Sequence, residues 1–413
     1  MTLKFRWETE FKQTELGYNI PLDWEEKRVG KIIELKYGKG LPEKERKAGK
    51  TPVFGSSGLI GYCSKSYAHG PGVIIGRKGN VGSIYFSISD FYPIDTVFYS
   101  ENVINAVFLF YLISKIDLKQ MMSDSAVPGI NINFIKSIRI PFPELIEQMR
   151  ISNLLTWFDE LIENKKRQNK ILEDTALALF RSWFIKIDPF KGKKLKETEL
   201  GRIPNSWDLK PIGKLATLKN GISYSGKEKF EEQIDGSKVF ITLNNAIEGG
   251  GFKPVYAWIK SDRIKEHQLL KEGDLIFPNT EQTKDERLIG SPGIVFFPYD
   301  YEQGKGVFSH HITKVNVHDS RYAFYLYCFL KATREDSASF TTGTGVLGLD
   351  LKNFGKNKMV IDPGHTILEK FDNFVEPLFN KIIINQKQIM LLRKIRDTLL
   401  PLLVFGKLRV EEI

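Results

Sequence analysis

Two short polar stretches carry the side chains best suited to chemistry, and that chemistry is recognition of phosphates and base edges. In the string GRKGNVG, Arg77, Lys78 and Asn80 stand between glycines 76, 79 and 82. Glycine lets backbone amides approach an anion closely, while an arginine fork bonds a phosphate or a guanine edge at two points. The second stretch follows residues 275–277 and carries Asn279, Thr280, Gln282, Lys284 and Arg287. Side-chain amides match adenine edges, and Lys or Arg matches guanine. Nearby lie Lys36, Lys39, Lys44, Arg46 and Lys47, with Lys219, Lys227 and Lys229 as their counterparts. Such clusters supply the sequence-independent, salt-sensitive part of binding to a polyanion. The whole chain leans the same way, with 60 Lys and Arg against 50 Asp and Glu and a net charge of +10.

Catalytic patterns do not emerge beside these stretches. The sequence has no GxxxxGK[ST] phosphate loop and no HExxH pair. Asp188-Pro189-Phe190 lacks the second proline of an amino-methyltransferase motif, and the glycines at 343, 345 and 348 lack the strand and helix a dinucleotide site requires. His310, His311 and His318 have no carboxylate or thiol at ligand spacing, and Glu45-Arg46-Lys47 reads as a solvated basic loop rather than a nuclease centre. Cys63 and Cys328 are isolated, as expected of a reducing compartment. No catalytic residue and no metal ligand is therefore assigned. The apolar runs are short and the start MTLKFRWETE has no signal-peptide core, so a soluble, cytoplasmic chain without a membrane segment is expected.

The elements that must position the polar stretches are two long helices and a repeated globular frame. From 144 to about 184, apolar residues recur at alternating four- and three-residue steps through Ile151, Leu155, Phe158, Ile162, Leu172, Ala176, Leu179 and Trp183, with Lys165 and Asn169 as polar steps. The seam recurs as Phe371, Val375, Leu378, Ile382, Ile389, Leu392, Leu399 and Leu403, with Asn385 and Arg396 polar. Each seam needs a helical partner along its length, and the two match. Pro401 is expected to kink or end the second helix. The rest of the chain is one unit written twice. KQTELG at 12–17 returns as KETELG at 196–201; Ile20-Pro21, Trp24, Gly30 and Gly38 match Ile203-Pro204, Trp207, Gly213 and Gly221; Phe110-Tyr111-Leu112 returns as Phe324-Tyr325-Leu326. Strands are predicted at 73–75, 84–86, 239–243, 275–277 and 294–297, and helices at 103–115 and 321–332, so each copy is α+β. The predicted order is an N-terminal segment (1–19), a globular domain (20–143), a central helix (144–186), a linker (187–203), a second globular domain (204–363), a C-terminal helix (364–405) and a tail (406–413). Antiparallel helices joining two copies imply an approximate twofold axis, the symmetry of duplex DNA's backbone.

These residues resemble the specificity subunits of Type I restriction-modification enzymes. GSSGLIGY at 55–62, GPGVIIGRKGNVG at 70–82 and FYPIDTVFY at 91–99 are similar to strings of that family's target-recognition domains, as are the repeated Ile-Pro and Trp, Glu147-Gln148 opening the central helix, and Leu399-Leu400-Pro401 before Gly406 and Lys407. The resemblance implies a noncatalytic reader of double-stranded DNA with two target-recognition domains, each on half of an interrupted target, and paired helices that set the gap. It further implies two modification subunits and restriction subunits as partners, with S-adenosylmethionine, ATP and magnesium bound by those partners and not by this chain. The second domain lacks a GRKGxVG-like loop, so its DNA-contact roles follow less directly. A self-contained DNA enzyme and a coiled-coil scaffold are the alternatives; the first requires a catalytic cluster, and the second predicts no base preference.

Overall fold

The computed structural model describes residues 3–46, 49–118, 130–281, 288–343 and 346–412. They form two compact units, Met1–Ile162 with Leu392–Ile413, and Glu163–Leu391.

In unit 1 a four-stranded antiparallel sheet runs in the order Lys36–Tyr37, Val97–Tyr99, Gly72–Gly76, Ile84–Ser87. Gly72–Gly76 is buried throughout, as an apolar run in a central strand must be. Helix Ala106–Ile113 backs the sheet; Asn105 turns left-handed and its side chain caps the Phe108 amide at 3.2 Å. A smaller sheet pairs Thr51–Gly55 antiparallel with Gly58–Cys63 and parallel with Tyr92–Pro93. The frame is strand Glu25–Arg28 against Arg139–Phe142, with short helices Val29–Ile32 and Ile132–Ser137 packed together. The termini join this unit, strand Lys4–Trp7 pairing with Leu408–Glu412. There Arg409 bonds Glu147, Asp23 and Glu8, and Glu147 also accepts from the Trp24 indole at 3.0 Å.

Unit 2 repeats the plan. Its sheet order is Ala216–Asn220, Ile312–Val317, Leu275–Pro278, Gly293–Ile294. Strand Lys238–Ile241 is antiparallel to Ala257–Ile259 and parallel to Gly306–Phe308, and Asp208–Pro211 pairs with Met359–Asp362. The frame bonds coincide as well: Val29 donates to the Ile138 carbonyl and Ile212 to that of Lys358, both at 2.9 Å. Hairpin Phe11–Gln13 with Asn19–Pro21 is matched by Leu195–Thr198 with Gly201–Pro204, which lies in the stretch expected to be a linker. The second copy's additions include strands Lys229–Phe230 and Leu269–Leu270. The chain is thus α+β, a tandem repeat combined with two long helices.

The central helix spans Leu145–Phe180, followed by one π-helical turn, Arg181–Ile185, and the C-terminal helix spans His365–Val404. Inside unit 2 they run antiparallel, since Phe180 meets Phe371 at 6.2 Å and Asn169 meets Asn385 at 2.9 Å. Inside unit 1, Ile151 and Leu155 share a core with Leu400 and Leu403, and Asp159 bonds Arg396 and Tyr111. Burial and then Asp159 push the Tyr111 phenol far above its ordinary range. Ile151, Leu155, Ile162, Phe371, Val375 and Ile389 are buried, and Phe158, Leu172, Leu179, Leu378, Ile382, Leu392 and Leu399 are half-buried. Each fully buried apolar side chain contributes about 1.5–3 kcal/mol.

Several expectations are corrected. The helix runs through Pro401 to Val404, because Leu400, Leu403 and Val404 on that last turn are buried in the unit 1 core. Of the expected 294–297 strand only Ile294 lies in a strand; Val295 still bonds the Asp274 carbonyl and the Gly273 amide through its backbone, and Phe296 and Phe297 are buried by side-chain packing. Gly345 lies outside the described residues, and its flanks Thr341–Thr342 and Leu347–Leu349 pair with each other.

Candidate nucleic-acid interface

In unit 1 the polar candidates gather around one turn, residues 93–96, at the end of the four-stranded sheet. Lys39 donates its amide to the Pro93 carbonyl at 3.0 Å, and the amides of Arg77 and Lys78 donate to the Thr96 carbonyl at 2.9 and 3.3 Å. Gly38 is required here, since a Cβ would lie 2.0 Å from the Ile94 carbonyl oxygen. Ser56 joins from the hairpin, donating its amide to Thr96 Oγ1 at 3.2 Å. These bonds place Lys39, Arg77 and Lys78 beside the exposed Asp95.

Arg77 is not the outward-reaching reader expected from its loop. Its guanidinium lies 4.9 Å from the Tyr37 ring centroid and 5.5 Å from that of Phe98, and Nη1 donates to the Asp95 carbonyl at 3.1 Å. Cation–π attraction and that bond make it a clamp on the turn. Lys36 is likewise committed, ion-paired with Glu101. The Glu101 hydrogen bond raises the ammonium's pKa, and Lys36 in turn lowers that of the carboxyl. Lys39 stands exposed with its ammonium 5.6 Å from the Tyr67 ring, Lys78 is exposed, and Asn80 is exposed while its carbonyl accepts from Ser83 Oγ at 2.8 Å. Lys44 is exposed, Arg46 folds back onto the Leu41 carbonyl, and Lys47 lies outside the described residues.

Unit 2 builds the same turn, residues 308–311, from different chemistry. Ile222 donates to the Phe308 carbonyl at 2.8 Å and Asn279 to that of His311 at 2.9 Å. A Cβ on Gly221 would lie 1.9 Å from the Phe308 oxygen. Strand register completes the match: Phe98 pairs with Tyr37 and Ile75, and Thr313 pairs with Asn220 and Phe277. Asn279 therefore occupies the place of Arg77, and it too is a clamp. It is 4% exposed, and its amide donates to Asn220 Oδ1 and Thr313 Oγ1 at 2.9 Å and to the His310 carbonyl at 3.1 Å. An amide so engaged is not available to an adenine, which corrects the expectation for this residue. Thr280 Oγ1 is bonded to His311 Nδ1 at 2.8 Å, and Lys219 and Lys227 are exposed. Lys229 pairs with Glu231 at 2.8 Å. Gln282, Lys284 and Arg287 lie outside the described residues.

The His310 and His311 rings lie 3.8 Å apart at 40°. Burial, then the neighbouring His310, holds His311 below the ordinary imidazole value and so favours its neutral form. His318 is engaged elsewhere, by Thr217 Oγ1 at 2.9 Å and the Lys214 carbonyl at 3.2 Å. Asp95, Tyr37, Phe98, Asn220 and Thr313 stand outside the polar stretches that the sequence singles out. The repeated Leu-Lys-x-Gly string puts Tyr37 and Asn220 at equivalent positions of the two copies.

The family model described as the Type I restriction modification DNA specificity domain matches residues 21–174. The chain is 31% identical to the Type I restriction enzyme MjaIX specificity subunit of Methanocaldococcus jannaschii, over 100% of this chain and 99% of that one. It is 23% identical to the Type I restriction enzyme HindI specificity subunit of Haemophilus influenzae, over 80% of this chain and 85% of the relative. A solved Type I restriction-modification S subunit from M. genitalium shares the fold, with a TM-score of 0.57 over 94% of this chain and 98% of that chain at 18% identity.

Proposed function

Because the chain belongs to the specificity subunits of Type I restriction enzymes, the noncatalytic components that specify DNA, we propose that it reads an asymmetric, interrupted duplex target, one half per unit. The observation that carries this reading is the turn built twice on one backbone plan with different side chains. Two such turns suit two half-sites of different sequence. The exposed Lys39, Lys78 and Lys219 add attraction to phosphates, which falls as salt rises. The paired helices act as the spacer that sets the unread gap, with residues 20–143 and 204–363 as exchangeable target-recognition domains.

Two modification subunits dock on this chain and methylate adenine in each half-site using S-adenosylmethionine. Restriction subunits add translocation and cleavage driven by ATP and magnesium, and this chain holds none of those cofactors itself. The complex works in the cytoplasm; no described helix is long and apolar enough to cross a membrane. Mapping methylated bases in the native cell and in one lacking this gene tests the reading. Loss of a single bipartite adenine motif is expected, and an unchanged methylation pattern with the modification gene expressed refutes it.

A further inference from the structure

The two clamps hold equivalent backbone atoms of the two copies. Arg77 Nη1 bonds the Asp95 carbonyl and Asn279 Nδ2 bonds the His310 carbonyl, each at 3.1 Å. The surrounding bonds repeat in order, with Ile94 donating to Phe54 and Ser309 to Ile241, both at 2.9 Å, then Val97 to Ile94 at 3.2 Å and Ile312 to Ser309 at 2.9 Å. Each turn is therefore fixed by its parallel strand, its sheet strand, a glycine close approach and a side-chain clamp. Discriminating one base edge from another requires side chains held to about half an ångström, and rigid elements do this better than free loops.

We propose that the side chains of the clamped turns, Asp95 in unit 1 and His310 with His311 in unit 2, discriminate bases in the two half-sites, with Arg77 and Asn279 as positioning residues behind them. The assignment rests on the DNA-reading function and adds which residues carry it. Ionised Asp95 only accepts hydrogen bonds, so it selects an exocyclic amino group, cytosine N4 or adenine N6. Flanked by Lys39, Arg77 and Lys78, the carboxylate is carried toward a polyanion by neighbouring cations. In unit 2 the Thr280 hydroxyl engages His311 Nδ1, which fixes the ring and makes Nε2 its remaining hydrogen-bonding atom. Ser309 Oγ and His310 Nδ1 on this turn are buried without a partner among the described residues, as is Asn279 Oδ1 behind them. Unmatched polar atoms are uncommon in protein interiors, and His310, half-buried where Ser309 and Asn279 are buried, is placed to meet a polar partner from outside the chain.

The test is a binding selection from randomised duplexes using the full chain, as wild type, Asp95→Asn, His311→Ala and His311→Gln, with thermal melts of each. The wild type is expected to select two half-motifs. His311→Ala is expected to relax one or two positions of a single half by roughly 5- to 150-fold. Asp95→Asn does the same in the other half. If His311→Ala melts early, His311→Gln, which keeps size and polarity, carries the test, and a changed preference in the same half supports the assignment. A wild-type motif left unmoved by variants that fold, or affinity lost equally for all sequences, overturns it. A folded wild type that selects no motif overturns the DNA-reading function itself, and the assignment with it.

Discussion

Asn385 is fully buried in the helix seam of unit 2, where its Nδ2 donates to Asn169 Oδ1 at 2.9 Å and to Gln168 Oε1 at 3.3 Å. Truncating it to alanine removes a net hydrogen-bond contribution of about 1 kcal/mol and strands the Asn169 oxygen, at a further cost of about 1–3 kcal/mol. The expected loss is therefore about 2–4 kcal/mol. The paired change Asn169→Leu with Asn385→Leu acts oppositely. It removes Asn169 Nδ2 and Asn385 Oδ1, both buried without a partner among the described residues, and puts apolar surface in their place. A gain of about 2 kcal/mol is expected, at the expense of a buried polar step that pins the helices in register. Urea denaturation followed by circular dichroism measures both. With a slope of about 3 kcal/mol/M, the single variant should lower the midpoint by about 1 M and the double variant should raise it. A silent single variant would mean that water satisfies the pair. A double variant weaker than wild type would refute the view that the pair trades stability for register.

Other perturbations read other parts of the frame. Gly38→Ala and Gly221→Ala should each cost more than about 3 kcal/mol by forcing a carbonyl away from the new Cβ, whereas Gly40→Ala and Gly226→Ala, with open space around them, should stay within about 0.5 kcal/mol; limited proteolysis ranks all four. Asp372 has its carboxyl pushed up to about 6 by burial and then by Glu376, against an opposing pull from Arg321. Its folded value lies above its unfolded one, so its stabilising effect is complete below about pH 4 and is lost as pH rises through 6. Screening at its half-exposed position reduces the change to about 1 kcal/mol. Asp372→Asn should therefore raise the melting temperature at pH 7.5 and leave it unchanged at pH 4, and equal shifts at both pH values would exclude this origin.

The seams, the repeat and the central strands were legible because each rests on apolar periodicity or on local strings. Ile151 and Phe371 are buried wherever a helical partner lies, and the residues at 73–75 suit no place but a core. What the sequence did not show depends on partners far along the chain. Asn279 is withdrawn from solvent by Asn220, His310 and Thr313, and Lys36 is neutralised by Glu101. Pro401 obeys the helix because the leucines and valine around it gain more from the core than the missing amide loses. Polar residues in glycine-rich loops look alike in sequence whether they reach outward or fold back, and Arg77 folds back.

The two clamps also explain why the frames of the copies agree while their interiors differ. The anchored carbonyl and its backbone bonds are common, so any side-chain set that satisfies them leaves the fold intact. In unit 1 that set is a guanidinium against two rings, and in unit 2 an amide between an amide and a hydroxyl. The sets do not mix. Arg77→Asn loses the cation–π contacts with exposed Tyr37 and buried Phe98, and Asn279→Arg forces a charge against the fully buried Thr313. In thermal or urea unfolding the first should cost about 1 kcal/mol and the second, which buries a charge, a few kcal/mol. Replacing Asn220, Asn279 and Thr313 together by Tyr, Arg and Phe should recover much of that loss. Additive costs in the triple variant would show that the carbonyl, and not the clamp as a set, is what the fold requires.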